Sequence, residues 1–302
     1  MLEKTLKDIR DLRIQGATNV ARESLKALSK FLLKSKAGNQ KQLLEQAEKA
    51  KKKIFQTRVT EPLMRNMIRR VMYELRYNYD DDVKKVIERA VQEAEEQLKE
   101  FQTQEAQIVK NASAFIKNGS VIFTHCHSSS VVKTLELARK QGKKFEVICT
   151  ETRPRWQGRM TAKDLTRAGI KTTMIVDSAS MEFLPKTDMV LIGADAITHE
   201  GDVVNKIGTG LIGMLAKKFG KKVFVITHSM KYDPETRFKD EPIEQRKPEE
   251  VWKNPPKNLL IRNPAFEKLE GKNVDLIITE LGAEKPKGLA KKVKKHYKWI
   301  NI

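Results

Sequence analysis

The period of the apolar residues changes once along this chain, near residue 118, and that change restricts the fold to a few classes. Before it, hydrophobic residues recur at helical spacing. Leu2, Leu6 and Ile9 are four and three apart, Leu25, Leu28 and Leu32 do the same, and Val83, Ile87, Val91, Ala94, Leu98 and Phe101 form a stripe opposite Glu, Gln and Lys. Such a stripe gives each helix one apolar face to bury against a neighbour. After Asn118-Gly119, short apolar runs alternate with helical stretches. The runs are 120–124 (SVIFT), 145–149 (FEVIC), 172–176 (TTMIV), 189–193 (MVLIG), 222–227 (KVFVIT) and 274–279 (VDLIIT). Helices are predicted over about 128–141, 161–169 and 206–219, the second behind a Thr161/Asp164 capping box. Continuous apolar strands alternating with helices read as a parallel sheet covered on both faces. The expected fold is α/β: a helical N-terminal domain over 1–117, then a Rossmann-like, doubly wound, mainly parallel sheet domain over 118–302.

Composition narrows the partners. A chain of 302 residues holds one large or two moderate cores. No apolar run approaches the ~20 residues that span a bilayer, and the opening MLEKTLKDIR lacks the apolar core of a secretory signal. Two cysteines, Cys126 and Cys149, make no disulfide framework and no CxxC pair, which points to a reducing cytosol and away from zinc or iron–sulfur. The net charge of +20 favours polyanions, either nucleic acid or small substrates with several phosphates. Residues 1–60 carry fifteen Lys and Arg against six acids, and Lys285 to Lys298 carries seven Lys and no acid. The plain reading is a solvated lysine-rich surface. RNA contact by the basic tail is the sharper one, with only Tyr297 and Trp299 there to stack on bases.

In an open α/β sheet ligands bind beyond the carboxyl ends of the strands, and those positions are polar here. They supply Thr124-His125-Cys126-His127-Ser128, Glu151-Thr152-Arg153, Asp177-Ser178, Gly193-Ala194-Asp195 and Thr227-His228-Ser229, with Lys231 close behind. Together they read as one composite active site. Cys126 stands between a strand and a helix N-terminus, where the dipole and His125 and His127 are expected to favour a thiolate. Neighbours on an extended segment point to opposite sides, so His125-Cys126-His127 is not read as a metal site. Cys149 is read as buried packing, and His199 and His296 as surface residues. Asn205-Lys206 is expected to open the helix after the Gly201-Asp202 turn, as a phosphate seat. Gly208-Thr209-Gly210 is read as close helix packing, and no nicotinamide or other cofactor is expected.

The runs THCHS (124–128), ETRPRWQG (151–158), GADAI (193–197), NKIGT (205–209) and KYDPET (231–236) resemble those of archaeal ribose-1,5-bisphosphate isomerases. These are related to methylthioribose-1-phosphate isomerases and to the regulatory subunits of initiation factor 2B. The likeness runs from QGA (15–17) through FQTR (55–58) to NPAF (263–266) and ITELG (278–282). It implies an isomerase acting on a sugar phosphorylated at C1, with Asp195 protonating the ring oxygen and Cys126 thiolate moving the proton from C2 to C1. It also implies phosphate binding by Gly16, Arg58, Ser128, Asn205, Lys206 and Lys231, with Arg153 lining the pocket. Activation by AMP and association into dimers or hexamers follow by the same resemblance. The alternatives are a non-enzymatic subunit that binds initiation factor 2, and a methylthioribose-1-phosphate isomerase.

Three departures bear on the substrate. Gln15-Gly16 stands where the isomerases carry Arg-Gly, Val59 follows Arg58 where proline is usual, and Ser129 and Ser130 replace lysine-bearing variants. Each charged hydrogen bond is worth ~1.5–3 kcal/mol, so two lost cations would weaken bisphosphate binding by several kcal/mol. Arg13 is the nearest candidate to make up the charge.

Overall fold

The computed structural model describes residues 2–58, 61–236 and 243–301; Val59 lies outside them. The chain forms two compact units, the first made of Met1–Thr103, Met230–Pro234 and Val293–Ile302, the second of Gln104–Ser229 and Glu235–Lys292.

The first unit is built on helices α1 (Leu2–Arg10), α2 (Ala17–Leu32), α3 (Gln40–Phe55), α4 (Pro62–Tyr77) and the start of α5 (Val83–Ser113). Asn39 caps α3 by accepting the Gln42 amide at 2.9 Å, and Pro62 opens α4, where its missing N–H costs nothing. Val20, Leu25, Leu28 and Leu32 of α2 and Leu63, Met64, Ile68, Val71 and Leu75 of α4 are almost fully buried. The helical stripes read from the sequence are therefore packing faces. Tyr297 and Trp299 are also buried, so these two rings of the basic tail are not presented to bases. Asn66 fastens the 230–234 segment to α4, donating to the Met230 and Tyr232 carbonyls at 2.7 and 2.8 Å, and Arg65 pairs with Asp233 at 3.2 Å.

The second unit contains β1 (Val121–Thr124), α6 (Ser129–Lys140), β2 (Glu146–Thr150), α7 (Gln157–Arg167), β3 (Lys171–Ile175), α8 (Ser180–Phe183), β4 (Met189–Ile192), β5 (Ala196–Ile197), β6 (Val203–Lys206), α9 (Thr209–Lys218), β7 (Lys222–Ile226), β8 (Phe266–Leu269), β9 (Leu276–Thr279), β10 (Gly282–Glu284) and most of α10 (Pro286–His296). The main sheet has the order β10-β9-β7-β4-β1-β2-β3; all its pairings are parallel except β10 on β9. Ile122, Phe123, Val190, Leu191, Val225, Ile277 and Ile278 are buried, as strands covered on both faces require. The fold is thus α/β with a helical N-terminal region and a mainly parallel sheet, as the periodicities predicted. No helix among the described residues is long and apolar enough to cross a membrane.

Three local expectations change. Asn205 and Lys206 end strand β6 rather than opening a helix, because 203–206 pairs antiparallel with both β5 and β8. Helix α9 starts later, at Thr209. Thr161 lies inside α7, which begins at Gln157 behind Trp156, so it caps nothing. That early start depends on Gly158: a Cβ there would stand 1.7 Å from the Thr150 carbonyl oxygen.

Asn66→Ala leaves the Met230 and Tyr232 carbonyls without their donor, and a buried group orphaned in this way costs ~1–3 kcal/mol. A lowered urea midpoint is the expected result. A midpoint within 0.5 kcal/mol of wild type (the ~±0.5 kcal/mol range of neutral surface changes) would show that this staple does not hold the segment.

Candidate active site

Cys126 lies two residues beyond β1 and Asp195 three beyond β4. These strands are neighbours at the one place where the strand order reverses, the crevice in which open α/β sheets bind ligands. Cys126 takes a left-handed backbone, φ +65°. Its amide donates to Thr152 Oγ1 at 3.0 Å, and its carbonyl accepts from Thr161 Oγ1 at 2.8 Å. The His127 amide donates to its sulfur. From the end of β3, the Asp177 carboxylate accepts the Thr152 amide at 2.8 Å and the Arg153 amide at 2.6 Å. The exits of β1, β2 and β3 are therefore joined by direct hydrogen bonds.

The two histidines do not act as expected. His125 Nε2 lies 2.8 Å from the Ile207 carbonyl oxygen and must carry the proton, leaving Nδ1 to accept from Thr150 Oγ1 at 2.6 Å. Burial lowers its pKa, so it contributes no positive charge. His127 is lowered for the same reason, and its Nδ1 sits 3.1 Å from Thr161 Oγ1. The thiol consequently moves in the opposite direction to the sequence expectation. Loss of water around the sulfur pushes Cys126 up to about 11; Lys206 is the strongest influence pulling it down, while Asp195 and Asp177 raise it further. A helix terminus and two neutral imidazoles do not outweigh desolvation.

Lys206 is the dominant cation of this site. It is 8% exposed, its Nζ lies 5.0 Å from the centre of the Phe266 ring, and among the described residues no carboxylate comes within 4.0 Å of it. An enclosed ammonium without a counter-ion is costly until an anion arrives. Asn205 beside it donates to Thr209 Oγ1 at 3.0 Å, and Thr209 donates to the Lys206 carbonyl at 2.7 Å. The N-terminus of α9 is not the open phosphate seat that was expected, because the Glu267 carboxylate accepts the Gly210 amide. Gly208 turns the chain at φ +104° with the His125 ring against it, where a Cβ would come within 2.9 Å. That is the close packing read from the glycine pair.

Ser128 caps α6, its Oγ 3.5 Å from the Val131 amide, and Gly193 leaves it room: a Cβ at 193 would be 2.7 Å from that oxygen. Arg153 is held on the Trp156 ring at 4.7 Å and donates to the Val251 carbonyl at 3.0 Å. The β7 exit has other partners: His228 Nε2 is 2.7 Å from Gln104 Oε1, and Ser229 donates to Glu280. In the first unit, Gly16 precedes α2 at φ +80°, Arg58 is buried and pairs with Glu61 at 3.3 Å, and Lys231 ends the turn that follows β7. Gln15 donates to the Leu12 carbonyl, and Arg13 is paired with Asp8 and Asp11 at 2.8 and 2.9 Å. These ion pairs leave the Arg13 side chain 61% exposed. Cys149 is fully buried in β2. Sequence reading gave Thr161 only a capping role and Thr152 no more than a place in the β2 exit; their hydroxyls act through contacts 35 and 26 residues away along the chain, which no local pattern reveals.

The model of the initiation factor 2 subunit family matches residues 13–286. The chain belongs to this family. Within it, the chain is 36% identical to the ribose 1,5-bisphosphate isomerase of Pyrococcus furiosus, over 96% of this chain and 92% of that protein. It is 35% identical to the protein of that name from Methanocaldococcus jannaschii, over 99% and 96%. Among solved structures of the family's fold, the translation initiation factor eIF-2B of Pyrococcus horikoshii superposes with a TM-score of 0.81 at 25% identity, covering 94% of this chain and 97% of that one. The resemblance carried by THCHS, GADAI and NKIGT is borne out.

With its thiol near 11, Cys126 is protonated across the neutral range, and its alkylation by iodoacetamide should rise about tenfold per pH unit from 7 to 10. Mass spectrometry of the Cys126 peptide reads this rate, and Lys206→Met should slow it at every pH. A plateau below pH 9 would contradict the stated environment.

Proposed function

We propose that this protein is a sugar-phosphate isomerase converting α-D-ribose 1,5-bisphosphate to D-ribulose 1,5-bisphosphate in the breakdown of AMP. The observation that carries the reading is the placement of Cys126 and Asp195 on the two sides of the sheet's switch point, with an enclosed Lys206 acting on the same sulfur. Full-length likeness to proteins named for that reaction supports the substrate.

A phosphate on C1 blocks the free aldehyde, so ordinary aldose–ketose exchange is closed. In the proposed sequence the Asp195 carboxylic acid protonates the ring oxygen as the ring opens. Cys126 thiolate then takes the proton from C2 and returns it to C1 while the Asp195 carboxylate takes up the C2 hydroxyl proton, leaving a ketone at C2 and both residues as they began. Desolvation opposes the thiolate; the Lys206 ammonium and the His127 amide favour it. Asn205, Lys206, Ser128 and Arg153 are proposed as binding residues. Gly16, Arg58 and Lys231 are proposed on the family resemblance alone. AMP as an activator, association into dimers or hexamers, and a cytoplasmic location belong to the same proposal.

One observation favours a second reading, a regulatory subunit that binds initiation factor 2. Gln15 brings no charge, and the neighbouring Arg13 is tied to Asp8 and Asp11. Incubation with ribose 1,5-bisphosphate, with and without AMP, separates the two. The isomerase should form ribulose 1,5-bisphosphate, and Cys126→Ser and Asp195→Asn should each lower kcat by a factor on the order of 10²–10⁴, the usual worth of acid–base groups. No turnover by folded wild-type protein would overturn the proposal.

A further inference from the structure

Four non-glycine residues among those described have a positive φ, and three of them meet at one place: Cys126 at +65°, Thr152 at +61° and Trp156 at +62°. Thr152 touches both of the others. Its hydroxyl oxygen accepts the Cys126 amide, and its carbonyl accepts the Trp156 amide at 2.8 Å. A β-branched residue rarely adopts the left-handed region, where glycine or asparagine fits without strain. Strain of this kind persists where the surroundings over-determine it, and here they do. The two Asp177 oxygens hold the Thr152 and Arg153 amides, which fixes the turn.

The directions of the hydrogen bonds explain what the hydroxyl adds. The Ile207 carbonyl requires the proton on His125 Nε2, so His125 Nδ1 accepts from Thr150 Oγ1. With its own proton committed there, Thr150 Oγ1 can only accept, so the Thr152 hydroxyl donates to Thr150, whose Oγ1 lies at 3.3 Å and whose carbonyl oxygen lies at 3.5 Å. In either direction Thr152 Oγ1 keeps a lone pair for the Cys126 amide. The last bond ends on the residue that bears the thiol. Glycine at 152 would take the backbone freely but lose this acceptor. Valine would keep the shape and lose it too.

We propose that Thr152 is a positioning residue for Cys126, aiming the sulfur through the Cys126 backbone while Asp177 holds Thr152 in its left-handed turn. The proposal rests on the reading of Cys126 as the group that moves the proton.

The test compares Thr152→Val, Thr152→Ser and Asp177→Asn in the full chain, with two readouts. One is turnover of ribose 1,5-bisphosphate. The other is iodoacetamide alkylation of Cys126 between pH 7 and 10, followed on its own peptide. Thr152→Val should lower kcat by a factor on the order of 10–100, as a misplaced acid–base group would. Its KM should stay within about threefold, and Cys126 alkylation at pH 9.5 should slow about threefold or more. Thr152→Ser, which keeps the hydroxyl, should restore both to within about twofold of wild type. If Thr152→Val fails to fold, Asp177→Asn carries the comparison through turnover alone, because losing the Asp177 charge also favours the Cys126 thiolate. Wild-type values in Thr152→Val, or wild-type turnover in Asp177→Asn, would overturn the proposal. So would Thr152→Ser losing as much as valine, because packing of the methyl group would then be the cause. If wild-type protein turns nothing over, the isomerase reading fails, while the alkylation series still reports whether Thr152 positions Cys126.

Discussion

The order of the parallel strands contains a single reversal, between β1 and β4, and the candidate site of this protein is set by that reversal. In doubly wound sheets the connections on the two sides of such a reversal leave on opposite faces, and ligands bind beyond the strand ends there. Cys126 and Asp195 are the chemically able residues at the β1 and β4 exits. Neither is special by itself. A cysteine at a strand end is commonly a small packing residue, and an aspartate after a glycine commonly closes a turn. The strand order gives the pair one place to act.

Around that crevice the protein sets desolvation against charge. Desolvation raises the thiol of the half-buried Cys126, and burial lowers both nearby imidazoles. Lys206 is the largest opposing influence, held on the Phe266 ring with no acid within ion-pair reach among the described residues. Under the proposed function an arriving phosphate would be the counter-ion of this ammonium. The same low-polarity surroundings that make an isolated charge expensive also strengthen the attraction once a partner is present.

Much of the fold was legible in the sequence because it rests on periodicity. Six apolar runs became six strands of the main sheet, and the stripe of Leu25, Leu28 and Leu32 became a buried face, while of the α5 stripe Ile87 and Ala94 are buried. What escaped was decided by long-range pairing. Val203 to Lys206 is four residues long and takes its strand character only from β5 and β8, so NKIGT read as a helix start. Thr161 carried the right letters for a cap, but Gly158 allows α7 to begin a turn earlier against the Thr150 carbonyl. The strand exits could be listed from the sequence because their positions follow from the fold class. The thiol's environment was misjudged because adjacency in sequence says nothing about burial, and two histidines beside a cysteine count as cations only where water reaches them.

The most direct test is a crystal structure of the Cys126→Ser protein with α-ribose 1,5-bisphosphate bound. The account predicts the sugar in the crevice between the β1 and β4 exits, with a phosphate oxygen at hydrogen-bonding distance from Lys206 Nζ and the C1–C2 edge facing residue 126. A sugar bisphosphate bound elsewhere, with Lys206 still lacking an anion, would contradict it.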